Sequence, residues 1–186
     1  MFGNGATFER GGVESPMGIV RPMMADRAVM HERIEAALRT VQAMPECDAS
    51  RIIVFGYCFG GGVSLECARQ NYPGVVGVAS FHGTLAHASK VEGYPAQGRS
   101  HIAPKIIVFH GAEDKRINTQ VQDFQDEMRA ANADWQFVTF SNTAHSFTEP
   151  HAGSDVSSGS AYTESSDRRS WKMFMDFAHE VFGPQQ

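Results

Sequence analysis

Positive charge, paired cysteines and long apolar runs are all scarce in this sequence. Lysine and arginine total 16 against 21 aspartates and glutamates, a formal net charge of -5. No basic field is present to attract nucleic acid or an anionic lipid surface, so neither is expected as a partner. Only three cysteines occur, Cys47, Cys58 and Cys67. An odd count at wide spacing suits neither a disulfide framework nor a Cys-x-x-Cys metal or redox site, and it fits a reducing compartment. Apolar runs are no longer than about a strand, which excludes an expected membrane span. The opening Met1-Phe2-Gly3-Asn4-Gly5 has neither the basic start nor the apolar stretch of a secretory signal, so the expected location is cytoplasmic. The eight histidines include no His-Glu-x-x-His or other compact ligand spacing, so no metal and no cofactor is expected.

What is present reads as a globular domain. With 186 residues, 42% hydrophobic and 20% charged, the chain has the size and composition of a single domain, 1–186. Asp26 is placed to cap a helix whose apolar residues Met30, Ile34, Ala37, Leu38 and Val41 recur on one face before Pro45 stops the pattern. Residues 51–55 form a short, nearly continuous apolar run of the kind buried on both faces of a parallel sheet, and the run ends at Gly56. Runs at 75–81, 106–109 and 135–140 resemble it. Between the last two lies a helical pattern through Ile117, Val121, Phe124, Met128 and Ala131. A closing helix presents Trp171, Phe174, Met175, Ala178 and Val181 on one face, with Gly183-Pro184 as its stop. Strands alternating with helices call for an α/β fold, a mostly parallel sheet with flanking helices. Two echoes of Phe-His-Gly, at 81–83 and 109–111, mark strand ends.

Directly after the first strand stands Gly56-Tyr57-Cys58-Phe59-Gly60-Gly61-Gly62, followed by residues that open a helix. A sharp strand-to-helix turn of this form forces its central residue into a strained conformation and needs minimal flanking side chains, here Gly56 and Gly60. The turn pushes the Cys58 sulfur beyond the sheet, facing the N–H groups and partial positive charge of the helix start, where a thiolate is favoured. An isolated cysteine is more often a small buried hydrophobe; strand, glycine bracket and helix together reverse that preference for Cys58. Cys47 and Cys67 have no such setting and are read as structural.

Two later strand ends carry ionisable groups. His110-Gly111-Ala112-Glu113-Asp114 follows the run at 106–109, and Ser141-Asn142-Thr143-Ala144-His145-Ser146-Phe147 follows the run at 135–140. Cys58, Asp114 and His145 thus succeed one another in the order nucleophile, acid, histidine, on three strand-end loops. Here the sequence resembles the dienelactone hydrolase family of α/β-hydrolases, with its glycine-bracketed cysteine, an aspartate in Gly-x-x-Asp, and a histidine followed by a small residue and Phe. The resemblance runs along essentially the whole chain from Phe2. It implies a hydrolase of small ester or lactone substrates in which Cys58 attacks the carbonyl, His145 relays protons and Asp114 orients the imidazole. It also implies that the Phe59 N–H is one oxyanion donor. Glu113 competes with Asp114 for the role of acid; the family pattern favours Asp114. His82 and His110 are read as histidines satisfied at strand ends, with pocket lining as the second reading.

The resemblance has two departures. Family members that take dienelactone place an arginine four residues after the histidine, where this chain has Glu149, so an uncharged or differently shaped substrate is expected. Phe2-Gly3-Asn4-Gly5 resembles the segment after the family's fourth strand, so an N-terminally truncated sheet is expected, without the second oxyanion N–H and without the glutamate that the family places near the resting thiol. The alternative reading of the same absence is a catalytically silent hydrolase fold serving as an interaction module, or a gene fragment. In such a sheet the strand at 51–55 becomes an edge with unpaired N–H and C=O groups, and a homo-oligomer burying that edge, or else aggregation, is expected.

Overall fold

A computed structural model describes residues 20, 23, 26–86 and 100–183. The described residues fall in two compact units, one within Met1–Ala49 and one within Ser50–Gln186. The Phe2-Gly3-Asn4-Gly5 segment lies outside them. In the first unit, helix α1 covers Arg27–Gln42. Asp26 caps it: Oδ1 accepts from the amides of Ala28 and Val29 at 3.1 and 3.3 Å, satisfying N–H groups that a helix start leaves without intrahelical partners. The buried stripe is Met30, Ile34 and Leu38. It is narrower than the apolar pattern, because Ala37 and Val41 fall on the exposed side.

In the second unit each apolar run becomes a strand: β1 (Ile52–Tyr57), β2 (Val75–Phe81), β3 (Lys105–Gly111) and β4 (Trp135–Phe140). They form one four-stranded sheet in the order β1-β2-β3-β4, parallel throughout. β1 does not end at Gly56 but continues to Tyr57, because Gly56 and Tyr57 still pair with Ser80 and Phe81. The inner strands β2 and β3 are buried along nearly their whole length, whereas β1 and β4 are mixed, as expected where helices cover a parallel sheet and its edges are less shielded. Helix α2 (Phe59–Gln70) links β1 to β2; α3 (Lys115–Asn118) and α4 (Val121–Ala130) link β3 to β4; α5 (Glu164–Phe182) closes the unit. The helix expected over 117–131 is thus two helices. Gln120, at the break, accepts from the Leu85 amide at 2.9 Å and the Thr84 hydroxyl at 3.2 Å. Among the described residues no helix is long and apolar enough to cross a membrane.

Alternation along the strands sorts the core. Ala79, Phe81, Ile107, Phe109 and Phe140 gather with Phe147 and with Phe174 and Phe177 of α5. Ser80, the alternate residue on β2, meets α2 instead: a Cβ on Gly61 would come within 2.7 Å of Ser80 Oγ. Helix α5 turns inward only part of the apolar pattern: Phe174 is buried and Val181 packs against the core, joined by Ser166, Ser170 and Phe177, while Trp171 and Met175 stay 45% and 38% exposed. The serines fit this face because their hydroxyls are satisfied there. Ser166 Oγ meets Thr143 Oγ1 at 2.8 Å, and Ser170 Oγ donates to the Asp167 carbonyl at 2.9 Å.

One buried ionic group fastens these layers. Arg69 of α2 binds both carboxylate oxygens of Glu127 in α4, at 2.8 and 2.7 Å, and Glu66 at 3.0 Å. It also donates to the Leu85 carbonyl, beyond β2, at 3.2 Å. Burial works against its charge, but the two glutamates more than offset this and hold its pKa up. Taking away the guanidinium leaves two carboxylates without it in a buried site. Arg69→Met is therefore expected to lower the unfolding free energy by about 3–5 kcal/mol in urea denaturation; a loss near zero would show that the group is dispensable for the fold.

Candidate active site

Cys58 sits between the last residue of β1 and the first of α2. Its φ of 52° and ψ of -120° are a combination that side-chain-bearing residues rarely adopt. The surrounding backbone holds it there. Its N–H donates to the Phe81 carbonyl at 3.0 Å, and its own carbonyl accepts from Gly61 and Gly62 at 3.1 and 3.3 Å to open α2. The glycine bracket works differently from the expectation. A Cβ on Gly56 would lie 2.3 Å from the Gly60 carbonyl oxygen, whereas a Cβ on Gly60 meets nothing within 4 Å. Gly60 matters as the backbone that Gly56 must clear; the crowding resumes at Gly61 and Gly62, where a Cβ would come within 2.7 Å of Ser80 Oγ and 2.4 Å of Thr84 Cγ2.

The other two candidate residues are brought to the sulfur by a close seam between two loops. A Cβ on Gly111 would come within 2.4 Å of the Thr143 carbonyl oxygen, so the end of β3 lies directly against the loop after β4. Ala112 N–H donates to Phe140 and Glu113 N–H to Thr143, both at 2.9 Å. Across this seam His145 Nδ1 meets Asp114 Oδ2 at 2.6 Å, and His145 Nε2 meets Cys58 Sγ at 3.2 Å. The carboxylate at His145 is that of Asp114 and not of Glu113. Its second oxygen accepts from the Ile117 amide at 3.3 Å, capping α3. His145 is pinned from behind, its N–H donating to Gly159 and its carbonyl accepting from Ala161 at 3.3 and 3.0 Å. Asp114 and His145 are 1% and 7% exposed, while Cys58 is exposed. The nucleophile candidate is reachable from solvent and the groups behind it are shielded.

Electrostatics follow from this chain of contacts. The His145 hydrogen bond holds the Cys58 thiol below its ordinary 9.0, against the opposing effect of burial, aided by His145 charge, the Phe59 amide and Arg116. Burial works against protonating His145, but Asp114 and Cys58 outweigh it and raise its pKa to about 9. Burial would raise the Asp114 pKa, yet the His145 contact brings it below the ordinary value. The geometry thus favours a thiolate beside an imidazolium, the two titrating as a coupled pair. Cys67 is the contrast: buried within α2, its thiol is pushed up to about 12.

Sequence reasoning placed His82 and His110 at strand ends but missed what they touch. His110 Nε2 donates to Asn118 Oδ1 at 2.6 Å, and Asn118 Nδ2 donates to the Ala112 carbonyl at 2.8 Å, which stiffens the turn carrying Asp114. His82 stands with its ring 5.0 Å from that of His145; burial and the His145 charge lower its pKa to about 3. The repeated Phe-His-Gly was the one signal available in the sequence, and it says nothing about neighbours across the sheet. Glu149 turns to its own backbone, accepting from the His151 amide at 3.3 Å. Among the described residues no group of three or more His, Cys, Asp or Glu side chains is placed to hold a metal ion.

The family model of the dienelactone hydrolases matches residues 13–182. The chain belongs to the dienelactone hydrolase family. Its sheet and helices are those of an α/β-hydrolase. Among solved structures it is similar to a dienelactone hydrolase-like promiscuous phosphotriesterase from metagenomic libraries, with a TM-score of 0.77 and 32% identity over 91% of this chain and 68% of that one. An uncharacterised protein of Caenorhabditis elegans is 38% identical over 162 residues, 86% of this chain and 99% of that protein. A provisionally assigned carboxymethylenebutenolidase of Salmonella typhimurium is 23% identical over 139 residues, 73% of this chain and 48% of that protein. This dienelactone hydrolase family member thus spans nearly all of one relative and about half of another.

The glycine geometry separates two substitutions that look alike. Gly56→Ala forces the end of β1 away from Gly60 and is expected to raise the Cys58 pKa and lower thermal stability. Gly60→Ala has open space in a helix and is expected to leave both unchanged or to stabilise by roughly 0.5–1 kcal/mol. Thermal melts and the pH dependence of thiol alkylation check both, and equal behaviour of the two variants would contradict the turn geometry.

Proposed function

We propose that the protein hydrolyses small ester or lactone substrates with Cys58 as nucleophile, His145 as proton relay and Asp114 as the group that orients the imidazole. The observation that carries this reading is the unbroken chain from sulfur to carboxylate, 3.2 Å from Cys58 to His145 and 2.6 Å from His145 to Asp114. Family membership makes the reaction class a hydrolysis. The Cys58 thiolate attacks the carbonyl carbon, and the Phe59 N–H helps to hold the charge that develops on the oxygen. As the tetrahedral intermediate collapses, His145 gives its proton to the departing alkoxide and a thioester remains. The neutral imidazole then takes a proton from water, hydroxide adds to the thioester carbonyl, and collapse releases the acid and restores thiolate and imidazolium. In a lactone the leaving hydroxyl stays attached to the acyl chain.

Short p-nitrophenyl esters test the assignment. Cys58→Ala and His145→Ala are each expected to lower kcat/KM by about 10³-fold or more, and Asp114→Asn by roughly 10²–10⁴-fold; a Cys58→Ala chain as active as the parent would end the proposal. The pH dependence follows from the two shifts. The pair is charged between the lowered pKa of Cys58 and the raised pKa of His145, about 9. The rate is expected to rise as pH passes the first value and to fall as the imidazolium is lost near the second, with the acid limb moved upward in His145→Ala. The likeness to a promiscuous phosphotriesterase makes an uncharged aryl phosphotriester, attacked at phosphorus with aryloxide departing, the next electrophile to assay.

A further inference from the structure

The end of β2 contributes no member of the Cys58, His145 and Asp114 chain, yet it places a buried histidine beside it. His82 has a φ of 39°, a left-handed conformation that residues with a Cβ adopt uncommonly. It is 3% exposed, and its Nδ1 is buried with no hydrogen bond to another residue's side chain. A polar ring buried in this backbone conformation beside His145 points to its contacts. Its other nitrogen shows where to look. Nε2 meets Thr148 Oγ1 at 2.8 Å, and Thr148 lies three residues beyond His145 on the same loop. The His82 ring stands edge-on to His145, at 5.0 Å between centroids and 68° between planes. Phe147 and Tyr57 back it at 5.1 and 5.9 Å.

We propose that His82, tethered by Thr148, is a positioning residue that holds the His145 imidazole at the angle from which it reaches Cys58 and Asp114 together. The inference rests on the reading of those three residues as the reacting set. An imidazole hydrogen-bonded through Nδ1 alone can still swing about that contact, and a swing of about an ångström takes Nε2 off the sulfur. The edge-on ring closes that path. The tether fixes the ring itself, because it joins the end of β2 to the very loop whose histidine must be held. Neutrality is part of the fit. The groups acting on this corner are Cys58, Asp114, His110, Arg116 and the phenol of Tyr57, and a second protonated ring at 5.0 Å would repel the His145 imidazolium. Burial and that same charge keep His82 unprotonated down to about 3.

Iodoacetamide alkylation of Cys58 against pH, followed by mass spectrometry of its peptide, reads the thiolate without a substrate; p-nitrophenyl acetate kinetics supply kcat and KM. Thr148→Val keeps the branched shape and removes the hydroxyl, and Thr148→Ser keeps the hydroxyl. Thr148→Val and His82→Gln are expected to move the alkylation inflection upward, slowing the reaction at pH below it about tenfold for each unit of movement. They are expected to lower kcat several-fold with KM little changed, and Thr148→Ser to restore both readings. Alkylation curves that superimpose on the parent's while only the melting temperature falls would show a purely structural role and overturn the proposal. Should His82→Gln fail to fold, the Thr148 pair decides by itself. The two readings fail differently. A parent thiol with an ordinary profile that His145→Ala leaves in place overturns the reacting set and this inference with it; a lowered, His145-dependent profile unmoved by Thr148→Val overturns the positioning role alone.

Discussion

At the carboxyl end of β1 the chain folds back so closely that a side chain on Gly56 would strike the Gly60 carbonyl, 2.3 Å from its Cβ. The rest of the site depends on that approach. It leaves Cys58 no room for an ordinary backbone conformation, and it starts α2 at the next residue, so the sulfur lies at the positive end of a helix. The strained turn persists because its neighbours are fixed. Tyr57 is in register with Phe81, and Cys58 N–H is bonded to the Phe81 carbonyl. On the far side of the turn, α2 is seated over Ser80 by the absence of a side chain at Gly61. The Arg69 group then ties the same helix to α4 and to Leu85. A backbone strain of about 1–3 kcal/mol is small against the packing that encloses it.

A parallel sheet brings the carboxyl ends of its strands to one side, and here each end has a distinct task. Those of β1, β3 and β4 lead to Cys58, Asp114 and His145, and that of β2 to His82. Polarity grades across this corner. Asp114 is almost wholly enclosed, His145 nearly so, and Cys58 open. Each group's burial opposes its charge, and in each case a neighbour of opposite charge or a hydrogen bond prevails. The charged state is therefore a property of the assembled corner and not of any one residue.

The strands and the order of the three candidate residues were legible in the sequence, because a buried parallel strand writes itself as a local apolar run and the elbow as a local glycine pattern. Asp114 was separable from Glu113 only by resemblance, since neighbouring residues share a loop and differ in the direction they face. Features that depend on meetings between distant segments were not legible. Glu127 occupies a buried position of α4 that a periodicity argument assigns to apolar residues, and its reason, Arg69, is 58 residues away. The inward face of α5 was legible only at Phe174 and Val181, because Ser166 and Ser170 are polar by type but satisfied by Thr143 and by the Asp167 carbonyl. The His82 contact joins residues 66 apart. No window along the chain contains both partners.

The three cysteines acquire opposite characters when the chain folds. Separated from the corner, Cys58 would be an ordinary thiol; within it, the residue stays exposed and its pKa is lowered. Cys67 moves the other way, sealed inside α2 with its thiol pushed to about 12, and Cys47 is half-buried in the other unit. Folding therefore drives two chemically similar thiols, nine residues apart in α2 and its cap, in opposite directions. A labelling reagent that discriminates between them registers the native state at single-residue resolution. The ratio of label at Cys58 to label at Cys67 then serves as a built-in gauge of how much of a preparation is folded, independent of any substrate.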